Sequence, residues 1–316
     1  MKKALTIGLV LLAMGSFALQ ANKEKRFSVD LFGCYSFMNP ADLNSWSEYN
    51  TGYITYLFNY YRSGQSEYKQ ISSQRIEGSF LSLEQALGMG GRLQYTTSMG
   101  LGFSLGLQYQ QKSVPSGADF SLAFDDFYQG PYTLIRSIDP SQIWVETYLP
   151  TLGIHYSLLR GEPLCLETHL AAGLMLASCG GFEAVLNESR EDSGYITSRE
   201  TIRRLEGSGS GLALEGGLKL QLKLFQSLGL FVEGGYTLQK VNNINGSAYL
   251  KSNVRDSNGD GYTQVNTWEG DWVLVTNTYG AKPNIAYPGM DTANVSEFSL
   301  DLSGFYLRIG IRVGVL

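Results

Sequence analysis

From residue 27 onward the chain alternates apolar and polar positions with a period of two. Leu101, Phe103, Leu105, Leu107 and Tyr109 are large and apolar, while Gly102, Ser104, Gly106, Gln108 and Gln110 between them are small or polar. This pattern predicts a strand with one oily face. It recurs in Phe27 to Tyr35, Leu87 to Tyr95, Leu152 to Leu158, Leu164 to Leu176, Leu212 to Leu222, Leu230 to Leu238 and Phe305 to Val315. Eight segments result, each roughly nine to eleven residues long, which is what a tilted strand needs to cross a bilayer.

A soluble sandwich also alternates. Here, however, the second face carries Gly, Ser, Gln and paired charges, and Tyr95, Tyr109, Tyr156, Tyr236 and Phe225 stand at segment ends, where an interfacial girdle belongs. Connections alternate between short (residues 96–99, 160–163 and 225–228) and long (38–82, 113–143, 178–210 and 240–298). Short turns face the periplasm in such proteins and long loops face outside, which puts both termini on the periplasmic side. The predicted fold is an all-β, transmembrane, up-and-down antiparallel β-barrel of eight strands with long extracellular loops. A ten-stranded wall would need Tyr262–Trp268 and Trp272–Tyr279, a hairpin turning at Glu269, Gly270 and Asp271. Those strands are short and polar, and they read instead as an extracellular hairpin.

Composition sharpens the picture. Charged residues are only 17% of the chain, beside 37 Gly, 20 Tyr and 15 Phe, whereas about a quarter charged is typical of a soluble protein. Past the N-terminus no run of 18 apolar residues exists to make a spanning helix. Lys2 and Lys3 precede an apolar stretch from Ala4 to Ala18 and then small or polar residues, the order of a secretory signal peptide. Residues 1–21 are therefore expected to be removed after Ala21, with Ala18 as the second choice, leaving residues 22–316 as one outer-membrane domain. The export signal leaves 22 basic against 29 acidic residues, a net charge of -7, which argues against a nucleic-acid partner.

Residues 27–316 resemble the small eight-stranded bacterial outer-membrane barrels, the class of the outer membrane protein A transmembrane domain and its X and W relatives. The resemblance rests on architecture, including the closing stretch Gly304 to Leu316, and departs from the class in ending on Val315 and Leu316 where such barrels usually end in Phe. It implies a Gram-negative outer-membrane location, contact with outer-membrane lipid and lipopolysaccharide, and insertion by the barrel-assembly machinery.

Inward positions on the predicted strands carry five acids, Asp30, Glu84, Glu167, Glu215 and Glu233, and five bases, Arg92, Lys219, Lys223, Arg308 and Arg312. Strand order brings Asp30 to Arg312, Glu233 to Arg308 and Arg312, and Glu167 to Lys219 and Lys223. Buried charges need such partners. The network reads as a salt-bridged plug in a lumen that eight strands leave barely wide enough for side chains, with a polar relay or selectivity ring as the alternative.

Other candidate chemistry is sparse. His155 and Ser157 match the His-x-Ser pair of lipid A deacylases, but their place near the periplasmic turn is wrong for acyl chains of the outer leaflet. Asp256, Asn258, Asp260 and Gly261 open like a calcium loop, yet position twelve is Thr267 where a bidentate Glu is expected; apart from weak calcium there, no cofactor is implied. Cys34, Cys165 and Cys179 are odd in number, so at least one stays unpaired, and with His155 and His169 they have no metal-ligand spacing. Asn39 and Pro40 begin a helix whose Leu43, Trp46, Tyr49, Tyr53, Leu57 and Tyr60 form a stripe up to Gly64, either a lid on the barrel mouth or an element lying on the outer leaflet. The leading functional expectation is a non-enzymatic outer-membrane protein with a role in permeability or small-solute transport. A structural or surface-interaction protein is the alternative, and a lipid-modifying enzyme a minor third.

Overall fold

The structure, a computed structural model, describes residues 27–63, 69–79, 81–126, 131–160, 163–191, 196–225, 227–255, 260–277, 280–287, 290–291 and 293–315. The proposed signal peptide, and Asp256 and Asn258 of the proposed calcium loop, lie outside these residues.

The described chain is almost entirely β. Its elements are β1 (Phe27–Phe37), α1 (Ala41–Ser63), β2 (Lys69–Ser79), β3 (Gln85–Thr96), β4 (Leu101–Asp126), β5 (Tyr132–Arg160), β6 (Leu164–Glu191), β7 (Ile196–Lys223) and β8 (Leu228–Asn242), then β9 (Asn245–Arg255), β10 (Gly261–Asn277), β11 (Gly280–Ile285), β12 (Val295–Glu297), β13 (Ser299–Asp301) and β14 (Gly304–Val315). The strands all belong to one 14-stranded antiparallel sheet. This overturns the eight-stranded fold and, with it, the resemblance to the eight-stranded outer-membrane class. Strands do not stop where their oily row stops: β4 to β7 run for 26, 29, 28 and 28 residues. At about 3.3 Å per residue, 28 residues reach roughly 90 Å, some three times the hydrocarbon core of a bilayer. Most of the stretches read as loops at 113–143 and 178–210 are in fact ladder. The hairpin expected at Glu269–Asp271 is also wrong, because β10 passes straight through it with Glu269, Gly270 and Asp271 paired to Ser247, Gly246 and Asn245.

The register explains how the extra strands fit. Residues 211–223 of β7 pair with β8 and residues 198–208 with β9, so β8 and β9 are successive stretches along one neighbour. They are separated at Asn243, whose φ of 59° is the left-handed conformation asparagine tolerates better than most residues. On its other side β8 pairs with β14, and β14 with β1, while β9 pairs instead with β10. Near the short turns the pairings therefore run β7, β6, β5, β4, β3, β1, β14, β8 and back to β7. Farther along, β10 to β12 extend the sheet past β9, and β2 pairs with the far end of β4.

The two faces exchange polarity at about one height. On β7, Leu212, Leu214, Leu218, Leu220 and Leu222 are exposed, whereas Glu200, Arg204, Glu206, Ser208 and Ser210 occupy the same outward row farther along. The inward row does the reverse, with Glu215 and Lys219 buried at the level of the leucines and Leu205 buried beyond. On β4 and β5 the outward row changes at Tyr109 and Tyr148, whose rings lie 5.0 Å apart and whose hydroxyls donate to Gln111 and Glu146. Tyr236 with Phe305 at that edge, and Phe27 with Tyr95 at the other, complete two aromatic rims around an apolar outer band. Leu218→Arg, inside this band, is expected to cost roughly 2 to 4 kcal/mol if the band faces lipid, whereas Ser208→Arg should change stability by about 0.5 kcal/mol or less. Unfolding of both variants in lipid vesicles checks this, and equal costs would remove the band.

Beyond the band the interior is a conventional apolar core, in which Leu43, Trp46, Ile143, Val145, Met175, Cys179, Leu205, Ile244, Trp272 and Phe298 cluster. Helix α1 begins at Ala41, with the Pro40 carbonyl accepting from the Leu43 and Asn44 amides. It buries Leu43, Trp46, Asn50 and Ile54 on one face and packs chiefly against β11, β13 and β4. This is a helix packed into the inner side of the sheet. Its buried stripe runs through Asn50 and Ile54, whereas Tyr60 of the predicted aromatic stripe is exposed.

Candidate functional site

Eight of the ten charged residues singled out from the sequence meet inside the lower part of the sheet, in two groups of two acids and two bases. Nearest the short turns, Arg312 spans Asp30 and Glu167: Nε donates to Asp30 Oδ1 at 2.7 Å, and Nη1 and Nη2 donate to the Glu167 carboxylate at 2.7 and 3.0 Å. Lys219 Nζ lies 3.0 Å from Asp30 and 2.7 Å from Glu167. Gln94 and Gln221 accept further bonds from Arg312. One step higher, Arg308 donates to Glu215 and Glu233 at 2.6 Å each, and Arg92 to Glu233 at 2.9 Å. Gln108 accepts from Arg308 Nε at 3.0 Å, and the Arg308 guanidinium sits over the rings of Tyr306 and Phe32 at 4.2 and 5.0 Å.

The local reason is register. Asp30 pairs directly with Arg92 and Arg312, Lys219 with Glu167 and Glu233, and Arg308 with Glu233, so each base starts beside an acid on a neighbouring strand. All eight side chains are buried. Each group is formally neutral, and neither presents a row of one sign along which an ion could pass. Glu84 and Lys223 are placed elsewhere: both are exposed, Glu84 ahead of β3 and Lys223 at the end of β7. Strand parity alone assigned them inward, but parity does not hold at a strand end.

His155 and Ser157 are both buried. His155 Nε2 lies 2.8 Å from Thr96 Oγ1, and Ser157 faces Glu167 across the β5–β6 ladder. His169, set aside in the sequence for want of metal-ligand spacing, lies 3.0 Å from the Tyr306 hydroxyl and 3.7 Å from both Glu215 and Glu233. A Cβ on Gly217 or Gly235 would meet that hydroxyl at 2.5 Å, which is why the tyrosine can reach across. The three cysteines are unpaired and buried. Among the described residues no group of three metal-ligating side chains occurs, and Asp260 is exposed.

A third charged group sits above the first two and was missed from the sequence. Glu183 on β6 accepts from Trp46 Nε1 at 2.8 Å, from Asn50 Nδ2 at 3.2 Å and from Lys282 Nζ at 2.7 Å. It thereby ties α1 to β6 and β11. The Lys282 ammonium and the Arg203 guanidinium lie over the Trp46 ring at 5.6 and 5.7 Å. Burial alone would raise the Glu183 carboxyl, but Lys282 and Arg203 outweigh it and hold it near 2. Burial pushes Lys282 down to about 8, because one carboxylate cannot offset both desolvation and the neighbouring Arg203. The available signal was a lone acid among apolar and small residues from Cys179 to Leu186.

The Glu183 shift fixes a pH window. Its folded value lies below the ordinary 4.5, so the unfolded chain binds the extra proton and the stabilisation is complete above about pH 4.5 and lost as pH falls toward 2. A shift of that size corresponds to about 3 kcal/mol. Thermal unfolding followed from pH 6 to 2 should show a loss over this window that Glu183→Gln reduces, the other buried ion-paired carboxylates supplying the rest; an unchanged profile in that variant would place the acid sensitivity elsewhere.

No protein-family model matches the chain, and no curated protein matches it. Among solved structures, the attachment invasion locus protein of Yersinia pestis, Ail, solved with the heparin analogue sucrose octasulfate, is 11% identical, with 91% of this chain and 99% of that chain covered, at a TM-score of 0.29. The outer membrane protease OmpT from Escherichia coli is 9% identical, covering 94% and 99%, at a TM-score of 0.25. The translocator domain of the autotransporter NalP from Neisseria meningitidis is 12% identical, covering 98% and 95%, at a TM-score of 0.20.

Proposed function

We propose that this chain is a sealed outer-membrane β-sheet protein whose membrane-distal part presents a binding surface to a partner outside the cell. The observation that carries this reading is the filled interior. At the level of the apolar outer band the inside holds two neutral ion-pair groups, and above them an apolar core closed by α1. Such an interior gives a solute no route, while strands that continue far past the band expose polar outward rows, as a surface-interaction protein requires. In this reading the band faces lipid and lipopolysaccharide, the barrel-assembly machinery inserts the chain, the short turns and both ends of the described sheet point to the periplasm, and no reaction is catalysed. His155 engages Thr96 and lies among the buried groups of the lower interior, away from acyl chains.

The test is flux. The chain refolded into vesicles should protect its apolar band from aqueous quenchers and leave ion and sugar leakage at the level of empty vesicles. A stable conductance that responds to Arg308 and Arg312 substitutions would replace this reading with a pore, and failure to insert would remove the membrane from it.

A further inference from the structure

At the membrane-distal end a cleft of about 410 Å³ opens between the second half of α1 and the inner face of β5, β6, β7 and β9. Its floor is built by register. Arg136 on β5 pairs with Asn187 on β6, and Asn187 with Arg199 on β7, so two guanidinium groups flank one amide in a single row. With strands about 4.8 Å apart, the two arginine backbones lie roughly 10 Å from each other, a span that one anionic substituent and a sugar ring can fill. Arg136 stacks on Tyr53 of α1, its guanidinium 4.5 Å from the ring centroid, and donates to Asn187 Oδ1. Its Nε is buried with no hydrogen-bond partner, and a buried donor left unmade is costly. Glu188, the one carboxylate among the described residues that line the cleft, is engaged by Arg190. Among the described residues no carboxylate lies within ion-pair distance of Arg136 or Arg199.

The rest of the wall is mixed, with the rings of Tyr53 and Tyr61, apolar Leu57 and Leu134, and the hydroxyls of Ser189 and Thr197, which pair across β6 and β7. Planar forks of guanidinium donors match the oxygens of phosphate, sulfate and carboxylate. Aromatic faces beside hydroxyl and amide groups suit the alternating C–H and O–H surface of a sugar. The volume is in the range of small-molecule sites and exceeds the needs of a lone oxyanion.

We propose that this cleft binds an anionic saccharide, with Arg136 and Arg199 holding the charged substituent and Tyr53 and Tyr61 the ring. This deepens the surface-binding reading by naming the chemistry of the ligand, and it rests on that reading only for the direction in which the cleft faces. Phosphorylated sugars of the bacterium's own surface and sulfated sugars of a foreign one share this chemistry.

Calorimetry on the full chain refolded in detergent micelles tests it, with three probes: a phosphorylated lipopolysaccharide core oligosaccharide, a sulfated disaccharide and the same disaccharide without sulfate. One of the charged probes should bind saturably at one site per chain, and the neutral disaccharide should not. Which charged probe binds identifies the source. Arg199→Gln, at an exposed position, should weaken that binding about tenfold with the fold intact, and Arg136→Gln should do at least as much. Should Arg136→Gln fail to fold, Arg199→Gln decides alone. Absence of saturable binding by either charged probe, equal binding of the neutral one, or wild-type affinity in Arg199→Gln would overturn the proposal. Vesicle flux is measured separately, so a conducting chain that still binds sugar would fail the sealed reading alone, and a sealed chain that binds none would fail this one alone.

Discussion

Replacing Arg312 with leucine is expected to lower the stability of the folded chain by about 3 to 5 kcal/mol. Arg312 is the hinge of the lower group, giving paired hydrogen bonds to both Asp30 and Glu167. Without it two buried carboxylates share one ammonium, Lys219, and one negative charge is left uncompensated where the interior offers only Gln94 and Gln221. The loss comes from that stranded charge more than from the missing attraction, since a buried ion pair as a whole adds little net stability. A second substitution distinguishes the two causes. Arg312→Leu combined with Glu167→Gln restores one acid and one base, so it should recover much of the loss although it removes still more hydrogen bonds. Urea unfolding of the two variants in micelles decides; a double variant as unstable as the single one would mean that lost packing, rather than unbalanced charge, sets the cost.

Trp46→Ala is expected to cost about as much, roughly 3 to 5 kcal/mol, but by a different route and with a different readout. The indole is 1% exposed, at the centre of the distal core, and truncation leaves a large cavity. It also removes the N–H that serves Glu183 and the ring on which Lys282 and Arg203 rest. Sheet hydrogen bonds do not depend on this residue, so the helix should release before the strands do. Limited proteolysis should then cut within residues 41–63 while the apolar band stays protected. Trp46→Phe keeps most of the volume and loses only the donor, and should fall between Ala and wild type. If α1 in the Ala variant remained as resistant as in the wild type, the tryptophan would not be what holds it.

The apolar outer rows were legible residue by residue, because in a strand every second side chain shares a face, and a row of leucines at even or odd positions needs no partner to be recognised. The ion-pair groups were legible for the same reason: inward parity and antiparallel order bring Asp30 to Arg312 and Arg308 to Glu233. Glu84 and Lys223 failed because parity was carried past the strand end. The helix was read from Asn39 and Pro40 onward, and Leu43 and Trp46 of its buried face with it, but the second half of that face was not, since Asn50 is buried through a bond to Glu183, a residue 133 positions away.

By itself, then, the sequence determined period, facing and local turns, all of which depend on neighbours a few positions apart. Only the tertiary structure decided strand length, strand number and what the interior is. Beyond Leu212 and Tyr109 alternation continues with its sense reversed, polar outward and apolar inward. A reading that follows the oily row therefore ends the strand just where the surroundings of the sheet change from an apolar exterior to an apolar core. The backbone ladder is indifferent to that change, because its hydrogen bonds are made between main chains whichever side is oily. The cleft of Arg136, Asn187 and Arg199 belongs to this second kind of knowledge: it exists because three strands continue in register some distance beyond the point at which pattern alone would have stopped them.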